Sequence, residues 1–478
     1  MQVQEKLIAD IAKEVVTRLR VELQKPAAAS GGSVSTGAGV FATVEEAVTA
    51  AYEAQKKVAA MPLSERGRMI DIIRRICNDR SEELGRMELE ETKVGRLDHK
   101  ILKLKNMRFV LGVEAMRSDS RSNETGLCVI EGAPWGVIGM MLPVTHSVPT
   151  MVSNAINILA AGNTAVFGPH PSGAKVARFA LQLFNRAIER ELGVSNVLTT
   201  TTEATIEVAE QIFHHPKISL ICVTGGTAVA QAAAKSGKRV IAGGPGNPPV
   251  VVDETADLDH AAKCIIEGAA FDNNLLCIGE KEVFVVASVA DAFIAAMRRA
   301  GAAQLDTAAI DRLTRAAFTF EGGGSGCARA HVKKDLVGRD AAILASAAGV
   351  KVPAGIDLLF GETDANHPFV AEEQMMPFLP VVRVKDADAA ITAAVKAEHG
   401  YRHTAIIHTQ NVETATRMAR AMNTTLFIQN AASPASLGVG GPGYFSHTIA
   451  TPTGEGITTP MTFTRERQIV VGGALRIV

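Results

Sequence analysis

Cys277 has the surroundings best suited to covalent chemistry. It stands in FDNNLLCIGEK (271–281), with Asn273 and Asn274 before it, Gly279 after it and an apolar, strand-like run beyond. A thiolate is the strongest common protein nucleophile near neutral pH, and a turn or helix N–H beside it would lower its pKa. On these residues alone Cys277 is either that nucleophile or one more buried thiol. Cys264, on the apolar face of a preceding helical pattern, reads as core. A second candidate is Val223-Thr224-Gly225-Gly226-Thr227, which closes an apolar strand and opens the helical run AVAQAAAK. Backbone N–H groups and the dipole at such a helix start favour an anionic phosphate. The alternative is a tight turn with no ligand, and no G-x-G-x-x-G follows any candidate strand.

The elements that would hold these residues alternate. From Phe41 to about Arg117 the pattern is helical, with Thr43 placed to cap its first run. CVIEGAPWGVIGMMLP (128–143) contains two candidate strands. A helix over 150–161 then leads into the strand TAVFG (164–168), a helix over 172–190 follows, and ISLICVTGG (218–226) reads as a strand. A second alternating stretch runs from VVVD (250–253) through KEVFVVAS (281–288) to LFIQN (426–430), and TFTRERQIVVGGALRIV reads as C-terminal strands. Such alternation predicts a doubly wound α/β sheet with ligands at the strand C-termini. No internal repeat is visible.

Residues 1–24 stand apart. Leu7, Ile11, Val15 and Leu19 recur every four residues with charged residues between them, which predicts an amphipathic helix. Pro26 ends it, and 25–40 reads as a flexible linker. The helix either docks on its own domain or serves as a tag for a groove on another protein.

Composition narrows the classes. With 47% hydrophobic and 21% charged residues the chain reads as soluble and globular, and 478 residues suggest two or three domains. A net charge of -1 gives no pull toward nucleic acid or an anionic membrane. No apolar run approaches the ~20 residues of a membrane span. Lys6, Asp10, Lys13 and Glu14 interrupt any secretion-signal core. Six cysteines without a C-x-x-C pair argue against a zinc site and a disulfide framework, and fit a reducing, cytoplasmic setting.

Seven segments, in order, carry a resemblance. They are APWGVIG (133–139), ILAAGNTAVFGPHP (158–171), VTGG (223–226), AGGPGNPPVVVDETADL (242–258), FDNNLLCIGEK (271–281), MMPFLPVVRV (375–384) and TPTGEGIT (451–458). Together they resemble the aldehyde dehydrogenase superfamily, and within it the CoA-acylating acetaldehyde and propionaldehyde dehydrogenases of bacterial microcompartments. The resemblance implies an α/β fold with a Rossmann-like NAD-binding domain (41–243), a catalytic domain (244–440), and an active-site loop with C-terminal strands (441–478). Residues 118–135 would join those strands in a small β extension that pairs subunits into dimers or tetramers. It implies NAD as cofactor, coenzyme A as co-substrate and a short-chain aldehyde as substrate. No metal, nucleic acid or membrane is implied. The N-terminal helix resembles an encapsulation peptide that docks on microcompartment shell proteins.

Residue by residue, Cys277 falls on the family's nucleophile, and Glu373 on the acid that holds the nicotinamide ribose. Thr224, Gly225 and Gly226 fall on the turn beside the cofactor pyrophosphate. His170 stands near where hydrolytic relatives place a lysine on the adenine ribose; the alternative is a loop cap. Ala242 falls where hydrolytic members carry the Glu that activates the deacylating water, and alanine cannot act as a general base. His146 departs from the pattern. It replaces an Asn whose amide helps hold the developing oxyanion, and an imidazole N–H is expected to take over that bond. The rivals are a hydrolytic aldehyde dehydrogenase and a non-catalytic shell-binding protein.

Overall fold

The computed structural model describes residues 36–321 and 329–475. The expected amphipathic helix over 1–24 and most of the expected linker fall outside the described residues, as does Cys327. The last linker residues do not hang free, because Gln182 donates to the Gly37 carbonyl (3.0 Å) and Asn185 to that of Ala38 (3.0 Å). Val40–Phe41 then pairs as a strand with Thr200 and Thr201.

Two parallel sheets organise the chain. The first has six strands, in the spatial order Val40–Phe41, Leu198–Thr201, Thr164–Gly168, Val137–Met141, Ile218–Thr224 and Arg239–Gly243. From Val137–Met141 the chain winds outward on one side, then returns to build the other side beginning at Ile218–Thr224. That reversal is a topological switch point, where parallel α/β sheets open a crevice at their carboxyl ends. The second sheet has seven strands, with Leu359–Glu362, Phe378–Val384, Glu282–Val286, Pro249–Val252, Thr404–His408 and Leu426–Gln429 adjacent in that order. Its central strands are Val- and Ile-rich and buried on both faces, as parallel strands covered by helices must be. The anticipated α/β architecture is present. A hairpin, Phe318–Glu321 with Arg329–Val332, was not anticipated.

Local signals explain the helices that frame the site. Thr43 and Glu46 form a reciprocal capping box at the start of Val44–Ala60. Ser147–Ala160 begins three residues earlier than its apolar pattern suggested, and all of its residues are buried. Several of its polar side chains bond across the fold. Asn154 Nδ2 donates to Thr448 Oγ1 (2.8 Å), Asn157 Nδ2 to the Thr458 carbonyl (3.2 Å), and Ser153 Oγ meets Ser446 Oγ (3.2 Å). These bonds tie the segment 446–458 to the first sheet's central helix.

A third, antiparallel sheet joins Ser118–Asn123, Gly126–Pro134 and the C-terminal strand Thr464–Gly472. Most of its residues are at least partly exposed, including Ile469 and Val470. Among the described residues no helix is long and apolar enough to cross a membrane.

Candidate active site

Register places the chemistry. Glu373, Cys277, Gly246 and His403 each precede a strand of the second sheet, and those four strands (Phe378–Val384, Glu282–Val286, Pro249–Val252, Thr404–His408) are consecutive neighbours. Residues scattered over 158 positions, from Gly246 to His403, are thereby aligned along one sheet edge. Gly246 sits at the centre of the row. Its N–H donates to the Glu373 carboxylate. A Cβ on it would meet the Cys277 carbonyl oxygen at 2.3 Å and His403 Cγ at 3.1 Å.

The loop before Cys277 is unusual. Asp272, Asn273 and Asn274 have φ of 50°, 57° and 66°, three consecutive non-glycine residues in the left-handed region. Asn and Asp tolerate that region better than other residues, which is why this run of types stands here. Asn273 Nδ2 donates to the Gly338 carbonyl (3.0 Å) and to Asp340 Oδ1 (2.8 Å). Asn274 Nδ2 donates to the carbonyls of Ala269 and Glu280, both at 2.9 Å. The fully buried Lys281 ammonium spends its three hydrogens on Asn274 O (2.8 Å), Asn274 Oδ1 (2.6 Å) and Leu276 O (3.1 Å).

Burial pushes the Cys277 thiol up to about 12, and the Glu373 carboxylate adds to the rise. Lys281 and the N–H groups of Cys277 and Ile278 oppose it. Burial raises Glu373 to about 7, with Lys281 pulling it back. Cys277 therefore rests as a thiol beside a carboxylate that titrates near neutrality. His403 is 1% exposed and pushed down to about 4 by burial. Its Nδ1 lies 2.8 Å from Thr404 Oγ1, and its buried Nε2 has no partner. Sequence reading missed His403 and Lys281. The signal was present in both, a charged or titratable residue at the mouth of an otherwise apolar strand.

The first sheet presents its carboxyl edge. Thr224 Oγ1 bonds Thr448 Oγ1 (2.6 Å), which anchors the turn to the C-terminal segment. A Cβ on Gly225 or Gly226 would find no atom within 4 Å, so the turn borders open space, and Gly226 is the N-cap of Thr227–Ala234. This turn lies at the switch point and has room for a dinucleotide phosphate. Ala242, 3% exposed, is the penultimate residue of the neighbouring strand, and its N–H donates to Thr453 Oγ1 (3.0 Å). His170 Nδ1 accepts from the Ser172 N–H (3.1 Å), so the loop cap is formed.

His146 requires a correction. Its Nδ1 lies 3.0 Å from Lys103 Nζ and its Nε2 3.2 Å from the Leu275 carbonyl. An ammonium can only donate, so Nδ1 accepts and the ring's one N–H goes to Leu275. Burial and the Lys103 charge hold the imidazole well below its usual range, so no second N–H forms near neutral pH. The expected oxyanion bond from His146 has no donor. The N–H groups of Cys277 and Ile278, already directed at the thiol, remain as donors.

Comparison with known proteins agrees with this geometry. The model of the aldehyde dehydrogenase family matches residues 21–311. An acetaldehyde dehydrogenase (acetylating) of Salmonella typhimurium is 44% identical over 443 residues, covering 92% of this chain and 94% of the relative. A propionaldehyde dehydrogenase from the fucose utilisation bacterial microcompartment of Clostridium phytofermentans superposes with a TM-score of 0.89 at 39% identity, over 92% of this chain and 100% of that one. The propionaldehyde dehydrogenase of Rhodopseudomonas palustris, solved with bound CoA and an acylated cysteine, gives 0.89 at 40% identity over 93% and 100%. A doubly wound parallel sheet, a cysteine at the end of a second parallel sheet and these matches lead to one conclusion: the chain belongs to the aldehyde dehydrogenase family.

Proposed function

We propose that the protein oxidises a short-chain aldehyde with NAD and transfers the acyl group from Cys277 to coenzyme A. The observation that carries this reading is the alignment of Cys277, Glu373 and His403 on one sheet edge around Gly246. Cys277 Sγ passes its proton to the neighbouring Glu373 carboxylate, which titrates near neutrality, and attacks the aldehyde carbon, forming a thiohemiacetal whose oxyanion faces the Cys277 and Ile278 N–H groups. Gly225 and Gly226 would hold the NAD pyrophosphate and Glu373 the nicotinamide ribose, and NAD would supply the hydride acceptor. Loss of hydride from the carbon leaves a thioester on Cys277. The CoA thiol then attacks that thioester, its proton passes to an acceptor, and acyl-CoA departs as the Cys277 thiol is restored.

His403 Nε2 is the acceptor this geometry favours for the CoA proton, being neutral, buried and unengaged. Ala242 supplies no general base for water, which favours the thiol over hydrolysis. The exposed three-stranded sheet supports pairing of subunits, since pairing covers open edges. The stripe Leu7, Ile11, Val15 and Leu19 supports docking on microcompartment shell proteins.

Two experiments test the reading. NADH formation from an aldehyde panel should require CoA and yield acyl-CoA; Cys277→Ala should abolish it while Cys264→Ala stays near wild type. Free acid formed at full rate without CoA would establish the hydrolytic rival. Deleting residues 1–24 should leave specific activity intact and abolish co-purification with shell proteins. A drop in melting temperature with unchanged shell binding would return that helix to the enzyme's own core.

A further inference from the structure

We propose that Lys103 is a positioning residue for Cys277, gripping the nucleophile loop at Asp272 and, through the His146 ring, at the Leu275 carbonyl. The inference rests on Cys277 being the nucleophile. Lys103 comes from the helix Leu97–Lys105, far from the loop in sequence, and is 2% exposed. Its ammonium forms a close ion pair with Asp272 Oδ2 and lies 3.0 Å from His146 Nδ1. The ring's opposite nitrogen reaches Leu275 O at 3.2 Å, two residues before Cys277. One buried cation thus holds both the start of the left-handed run and the residue beyond its end.

A run of three left-handed residues persists only where its surroundings over-determine it. Asp272 is held on three sides: its N–H donates to His99 Nδ1 (2.8 Å), its Oδ1 accepts from the Arg96 N–H (2.8 Å), and its Oδ2 meets Lys103. Burial works against both charges of the pair. Yet Lys103 and Lys100 hold Asp272 below its usual range, so it stays ionised. Nearby, Lys100 pairs with Glu88 (3.4 Å), whose Oε1 accepts from the Ser147 N–H (3.1 Å) beside His146. A buried ion pair is a poor source of stability and a good one of unique geometry. The charges that shift the Cys277 thiol are those of Glu373 and Lys281, so Lys103 acts through the chain and not through its field.

Lys103→Met alone strands the Asp272 charge, so the test pairs it with Asp272→Asn, which removes both charges and keeps an acceptor for Arg96. A second variant, His146→Leu, leaves the ion pair intact and cuts only the link to Leu275. Each is assayed for melting temperature, alkylation rate of Cys277 by iodoacetamide, kcat, and KM for NAD. The double variant should fold and lose about 10²-fold in kcat, the scale of a 1 Å misplacement, with a parallel loss in alkylation rate. KM for NAD should change little, because neither Glu373 nor the nucleotide turn is among the groups that Lys103 and His146 hold. His146→Leu should show a smaller loss of the same two rates, and combining it with Lys103→Met should cost less than the sum. Wild-type kcat and alkylation in a folded His146→Leu protein would overturn the proposal whether or not the double variant folds. An active Cys277→Ala protein would overturn instead the nucleophile on which it rests.

Discussion

At Gly225 and Gly226 an added methyl group would find no atom within 4 Å, whereas at Gly246 it would strike the Cys277 carbonyl at 2.3 Å. The turn at 224–226 and the loop at 271–281, which we propose serve one reaction, are built in opposite ways. The turn offers backbone and space. Its single side-chain anchor is Thr224 to Thr448, and its glycines stay clear of the protein so that a phosphate can come close. The loop offers little space. Its asparagines and Lys281 are each bonded two or three times, and its backbone is forced through three left-handed residues. A dinucleotide that must enter and leave needs room, while a nucleophile must meet a carbon within a fraction of an ångström. The difference follows from what each region does to its ligand, one binding it reversibly and the other bonding to it.

Gly246→Ala should break this contrast most severely. The methyl group would push on the Cys277 carbonyl and the His403 ring together, and the Glu373 contact from the Gly246 N–H would move with them. Overpacking of this kind costs about 1–3 kcal/mol of stability. The catalytic loss should be larger, about 10²-fold in kcat, because three aligned groups shift at once. Melting curves and steady-state rates on the same sample check both. A variant with wild-type kcat would show that the row of groups tolerates displacement.

Legibility in the sequence divides along the same line. The two sheets were readable because their strands are short Val/Ile runs spaced by amphipathic helices, and the turn at 224–226 was readable because Gly-Gly after a strand is a local signal. The proposed nucleophile was picked out as part of a motif. What held it was not. Lys103, His146 and Asp272 meet from three places in the chain, and nothing local announces that a lysine on a surface-like helix is 2% exposed. His146 was misread for the same reason. An imidazole's role depends on which nitrogen is engaged, and here Lys103 decides that. His403 was passed over because RHTAIIH reads simply as a strand start, and only the sheet order brings it beside Cys277.

A smaller effect sharpens the comparison through pH. Glu280, fully buried at the end of the loop, accepts from the Ser433 N–H (2.9 Å) and hydroxyl (2.8 Å). Burial nevertheless raises its pKa to about 7, from 4.5. A raised carboxyl pKa contributes stability that is fully present below the unfolded value and is lost as pH rises through the folded one. Between roughly pH 4.5 and 7 the wild type should lose up to roughly 3 kcal/mol at this site. Glu280→Gln can keep both Ser433 bonds and has nothing to ionise. Its melting temperature relative to wild type should climb across that window and level off above it. A difference independent of pH would mean that Glu280 is ionised in the folded protein throughout.

The smallest effect is expected at the open turn, in Gly225→Ala. Gly225 is outside the left-handed region, so alanine fits its backbone, and its methyl group would meet no protein atom. Removing a glycine from such a position restricts the unfolded chain and stabilises by about 0.4–1 kcal/mol. The folded protein should therefore melt at or slightly above the wild-type temperature, the reverse of Gly246→Ala. Function should register the change only where the cofactor approaches. The methyl group takes space that a phosphate needs beside the turn's N–H groups, so KM for NAD should rise while kcat at saturating NAD stays near wild type. Cys277 alkylation in the absence of NAD should also be unaffected, since the loop stands on the other sheet. An unchanged KM for NAD would mean that the dinucleotide does not pass this turn, and the room at Gly225 and Gly226 would need another occupant.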